Sequence, residues 1–167
     1  QSIFDQVNVQ FKVHVFDDGS NDNTLQIIRD YQAKYSNIIF YDNKIRFGTP
    51  GLSFLYLVSL IEYEDSDLFA FSDHDDIWNV NKLERAAIKL KDNSANLYSA
   101  PVRAIWPSGK KRILSQTDTI RDHDCMFEGA GQGCSYVFDS KILDGLKAAK
   151  QVIDDKKLIV KSHDWVT

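Results

Sequence analysis

The chain has 167 residues, 43% hydrophobic and 26% charged, the balance of one soluble globular domain. Its net charge of -4 is scattered in sign with no basic stripe, which argues against a nucleic acid as main partner. No apolar run approaches the roughly 20 residues of a membrane span, and Cys125 and Cys134, with no C-x-x-C pattern, read as reduced thiols of a cytosolic protein.

Gln1-Ser2-Ile3-Phe4 opens the chain abruptly and reads as the middle of a helix. Phe11 to Phe16 alternates apolar and polar residues with β-branched valines, a strand pattern, and stops at the turn signal Asp17-Asp18-Gly19-Ser20. Asn21-Asp22-Asn23-Thr24 offers helix caps, with Asp22 serving as one. The helix that follows to about Tyr35 lines up Leu25, Ile28, Tyr31 and Tyr35. A second strand spans Ile38 to Tyr41. After the turn Gly48-Thr49-Pro50-Gly51, Leu52 to Tyr63 is a helix apolar on most sides. Leu68 to Ser72 is a short apolar run suited to a central parallel strand covered on both faces. Lys82 to Lys91 is an amphipathic helix. This alternation predicts an α/β sheet with parallel strands and crossover helices. Beyond it, Leu97 to Trp106 and Lys111 to Leu114 read as a hairpin about Pro107-Ser108-Gly109-Lys110. A strand from Cys134 to Phe138 precedes a helix from about Lys141. No repeat or linker interrupts the chain, so residues 1–167 read as a single domain.

Two apolar strands end in acids, at Asp17-Asp18 and at Asp73-His74-Asp75-Asp76. In open α/β sheets ligands bind beyond the carboxyl ends of the strands, and neighbouring strands would bring both clusters to one crevice. Like charges about 4 Å apart repel by about 4 kcal/mol at an effective dielectric near 20. Three carboxylates over four positions cannot all cap one helix, so this second cluster points to a divalent cation. The hard oxygens suit Mg²⁺ or Mn²⁺, which fill their shells with water and substrate phosphates. His74 reads as exposed between the acids and His14 as a strand residue. His123-Asp124-Cys125 lacks the second ligand pair of a zinc site.

Asp17-Asp18-Gly19-Ser20 followed by Asp73-x-Asp75-Asp76-Ile77-Trp78 resembles the family 2 glycosyltransferases of GT-A fold, most closely their rhamnosyltransferase-type branch. Gly131-Gln132-Gly133-Cys134 is similar to the family's strand near the acceptor site, and His163-Asp164-Trp165 to its catalytic-base motif. The resemblance implies a mostly parallel central sheet flanked by helices, with a smaller antiparallel acceptor-side part. It implies that Asp18 contacts the nucleotide base, Asp73 lies near the ribose and Asp75 holds Mn²⁺ or Mg²⁺ against the donor's phosphates. Asp164 would be the general base, and Gly133, His163 and Trp165 would shape the acceptor or sugar pocket. The partners implied are a UDP- or dTDP-sugar and a saccharide acceptor of bacterial surface polysaccharide. A lipid-linked acceptor would place the cytoplasmic protein at the inner face of the membrane.

The family's earlier strand and its elements beyond the base motif have no counterpart here, so the chain reads as an interior fragment, incomplete at both ends. One alternative is a Mg²⁺-dependent nucleotidyl- or phosphoryl-transferase, which usually adds a Gly-rich phosphate loop; Lys44 and Arg46 near Gly48 are the nearest basic residues. The other is a non-catalytic nucleotide-binding module of the same fold.

Overall fold

The computed structural model describes residues 1–42, 44–115 and 131–158. They form two compact units: Gln10–Glu62 with residues 147–158, and Gln1–Val9 with the described part of Tyr63–Leu146.

In the first unit, β1 (Val13–Phe16) and β2 (Ile38–Tyr41) pair in parallel, Val13 opposite Ile38 and Phe16 opposite Tyr41. The helix α1 (Thr24–Lys34) joins them as the expected crossover. Leu25, Ile28 and Tyr31 are half-buried on its inner face, as their spacing predicts. Asn23 occupies the cap position, but Asp22 does the capping. Its Oδ1 accepts from Thr24 N at 2.9 Å and Thr24 Oγ1 at 2.6 Å. The helix α2 (Pro50–Leu60) starts two residues earlier than its apolar pattern suggested, because Thr49 caps it and Pro50 fits its first turn. Leu55 and Val58 are buried along it, and Phe16, Phe47 and Tyr56 pack with ring centroids 5.1 to 5.9 Å apart.

The second unit holds a three-stranded sheet in the order β3 (Leu68–Ala70), β7 (Val137–Asp139), β4 (Leu97–Tyr98). Both pairings are antiparallel. The pairing of β3 seen here thus differs from the parallel one its apolar run suggested: a run covered on both faces does not encode direction. The central strand β7 buries Val137 and Phe138. It is shorter than predicted, because residues Gly133–Ser135 form a 3-10 turn. Over the sheet lies α3 (Lys82–Asn93), whose Ala86 and Leu90 pack on Val137 together with Ala70, Leu83 and Tyr98. The predicted strand Leu97 to Trp106 breaks at Pro101, which has no N–H for a ladder. Its first part is β4, and its second, β5 (Val102–Ile105), forms a hairpin with β6 (Lys111–Leu114). The last helix, α4 (Ser140–Lys156), buries Leu143 and Leu146 at its start.

Residues Gln1 to Phe4 are not helical but form consecutive turns. The buried Gln6 side chain fixes them, donating to Asn79 O at 2.7 Å and accepting from Leu83 N at 3.0 Å. Among the described residues no helix is long and apolar enough to cross a membrane.

Candidate active site

Asp17 and Asp18 follow β1 but do different work. Asp17 Oδ2 accepts from Gly19 N at 3.1 Å and Ser20 N at 2.9 Å, closing the turn on itself. Asp18 reaches across to the loop before α2, accepting from Phe47 N at 2.5 Å and Gly48 N at 2.7 Å. Gly19, at φ +85°, lies beneath the Arg46 side chain, whose Cδ would stand 3.3 Å from an added Cβ. The exposed residues Lys44 and Arg46 border the same loop. In this unit His14 packs on Tyr41, its Nδ1 2.9 Å from the phenol oxygen. Burial, then the charge of Lys12, holds its pKa below the usual histidine value.

The second cluster begins three residues past β3. Asp73 and Asp76 close a turn, with Asp73 N donating to Asp76 Oδ2 at 3.2 Å and Asp76 N to Asp73 O at 3.3 Å. His74 and Asp75 are exposed on this turn, while Asp73 and Asp76 are half-buried. Ser2 Oγ accepts from Trp78 N at 3.0 Å, so the N-terminal turns brace the segment.

The structure brings to this turn two groups that the sequence did not place there. Cys134 joins Asp73 and Asp76, with one ligand atom from each within 4.8 Å of the others. The reason is register. Phe69 pairs with Phe138 and Ala70 with Val137, so the turn that follows β3 lies beside the 3-10 turn that precedes β7 and carries Cys134. Only the antiparallel pairing of β3 with β7 reveals this neighbour, and the linear spacing conceals it. Burial and the negative charges of Asp76 and Asp73 push the Cys134 thiol up to about 11. Lys82 is the second group, donating to Cys134 O at 2.7 Å with its Nζ 3.5 Å from the centre of the Trp78 ring. Burial brings its pKa down to about 8, against the opposing pull of Cys134 and Asp76. One signal was available: a lysine at the first helical position, where the macrodipole disfavours a cation.

The donor set fits a hard divalent cation. The carboxylates of Asp73 and Asp76 lie together with the Cys134 thiol, and the exposed Asp75 is on the same turn. Gly133 is buried in the 3-10 turn before Cys134's carbonyl contact with Lys82. Gly131 lies close to Ser99: an added Cβ would stand 3.0 Å from Ser99 Cβ, which would have to give by a few tenths of an ångström. His123, Asp124 and Cys125, together with His163, Asp164 and Trp165, lie outside the described residues.

A strand–helix–strand crossover and an acidic turn just past a strand end make this an α/β protein, consistent with the GT-A type. The profile of glycosyl transferase family 2 matches residues 1–132, and the chain belongs to that family. It is 36% identical over 168 aligned residues to dTDP-rhamnosyl transferase RfbG of Shigella flexneri. That alignment takes in 99% of this chain and 57% of the length of that relative.

Proposed function

We propose that the chain is the donor-binding and catalytic part of an inverting glycosyltransferase that transfers rhamnose from dTDP-rhamnose to a saccharide acceptor in surface polysaccharide synthesis. The observation that carries this reading is the 36% identity, sustained over nearly the whole chain, to a relative whose name states both nucleotide and sugar. Asp18 would meet the base, Asp73 the ribose, and Asp75 would hold Mn²⁺ or Mg²⁺. The local bonding supports this division of roles, because Asp76 is engaged in closing its turn whereas Asp75 faces solvent. A bound cation would offset the charge that develops on the departing diphosphate. Asp164 would take the proton of the attacking hydroxyl, making it a competent nucleophile from the face opposite the leaving group. Gly133, His163 and Trp165 would line the sugar and acceptor pocket. We take residues 1–167 as belonging to one catalytic domain, and a lipid-linked acceptor would put it at the inner face of the membrane.

The test is transfer from dTDP-rhamnose, with UDP-sugars as comparison donors, in the full-length protein. Asp164→Asn should bind donor as wild type does and lose about 10²–10⁴-fold in turnover. A wild-type protein that binds dTDP-rhamnose and never transfers it would instead be a nucleotide-binding module.

A further inference from the structure

The β5–β6 hairpin presents a face that the fold leaves in solvent. Opposed residues of an antiparallel pair share a face, so the pairs Arg103–Ile113 and Ile105–Lys111 set these four side chains together. All four are exposed, Ile105 at 59% and Ile113 at 64%, while on the other face Val102, Ala104 and Leu114 are half-buried beside the exposed Arg112. At the end of β5, Trp106 is 41% exposed with Lys110 Nζ 5.7 Å from its ring centre. The connecting turn is tight, with Trp106 N donating to Lys110 O at 2.9 Å and Gly109 at φ +80°. From Tyr98 to Ser115 there is no acid, against the four cations Arg103, Lys110, Lys111 and Arg112, in a chain whose net charge is -4.

We propose that this hairpin docks the protein on an anionic phospholipid surface. Ile105 and Ile113, with Trp106 at the hairpin end, would enter the headgroup layer while Arg103 and Lys111 on the same face and Lys110 at the turn meet lipid phosphates. A tryptophan at the polar boundary, aliphatic side chains beside it and clustered Lys/Arg are what such an interface rewards. A soluble polyanion would engage the cations without use for the isoleucines. A second copy of the hairpin would bring cations against cations. The proposal deepens the membrane-side part of the reading above but rests on none of its transfer chemistry, so the two can fail separately.

The experiment is co-sedimentation of the purified protein with vesicles of phosphatidylcholine alone or mixed with phosphatidylglycerol, at low and high salt. Binding should require phosphatidylglycerol, weaken with salt and shift tryptophan emission to the blue, with most of that shift absent in Trp106→Phe. The combined variant R103Q/K110Q/K111Q should lose on the order of a hundredfold in partitioning, and I105S/I113S about tenfold. Both sets of substitutions are at solvent-facing positions, and unchanged melting temperatures would show the fold intact. Absence of binding to anionic vesicles, or wild-type partitioning by the triple variant, overturns the proposal. Equal retention on heparin that survives I105S/I113S overturns it in favour of a polyanion site, and a dimer dissolved by I105S/I113S in favour of self-association.

Discussion

At Lys82 burial and local charge oppose one another. The ammonium is removed from water at the positive end of α3, yet Cys134 O, the Trp78 ring and the nearby Asp76 all favour its charged form. Burial wins, taking the pKa from 10.5 to about 8. Between those two values the unfolded chain holds the proton that the folded one has released. This group's contribution to stability therefore rises with pH across that window. Each pKa unit is about 1.4 kcal/mol, so the rise is on the order of 3 kcal/mol. Cys134 acts in the opposite sense. Its folded pKa of about 11 exceeds the ordinary 9.0, so its contribution falls as pH climbs between them. Comparing wild type with Lys82→Met cancels most of the cysteine's part. Urea unfolding from pH 7.5 to 10.5 should show wild type gaining on Lys82→Met; parallel curves would mean the ammonium is not desolvated. His14 adds a gentler slope at acid pH. Its folded pKa is depressed, so its contribution is complete above about 6.5 and is lost as pH falls toward the folded value.

Among the elements, those governed by local rules were legible in the sequence. The helices α1 and α3, the strand β2 and the hairpin turn fell within a few residues of their predicted places, because periodicity and turn chemistry are written locally. Pairing was not legible. Nothing local tells Leu68 to Ala70 that the neighbouring strand is Val137–Asp139 and runs the other way. The same blindness hid the basic face of the hairpin, since Arg103 joins Lys111 only through the strand register. It also hid the role of Gly131, which the motif suggested but whose reason is spatial. Gly131→Ala would press a methyl group to 3.0 Å from Ser99 Cβ, and should cost about 1–3 kcal/mol in denaturant unfolding. The double variant G131A/S99G should recover part of that loss. Additive effects would show that the two sites do not touch.

For the molecule as a whole, the family was legible because its acidic motifs sit in order at strand ends, and the match over residues 1–132 confirms it. The bonding inside those motifs was not, because the same three carboxylates can close a turn or meet a ligand. Thermal unfolding with Mn²⁺ and dTDP distinguishes the two uses. A ligand at a hundred times its dissociation constant adds about 2.7 kcal/mol to stability. The wild-type shift should vanish in Asp75→Ala, whose own melting temperature stays near wild type because Asp75 is exposed. A shift that persists in Asp75→Ala would move the cation elsewhere.

The central position of β7 also governs how this protein is made. During synthesis β3 and β4 leave the ribosome well before the strand that lies between them, with Leu68 waiting for Asp139 and Leu97 for Phe138. Until those residues emerge, each strand offers this sheet's unfilled hydrogen-bonding edge to any passing chain. The nascent polypeptide is therefore most prone to aggregate in that interval, and a chaperone would be of most use there.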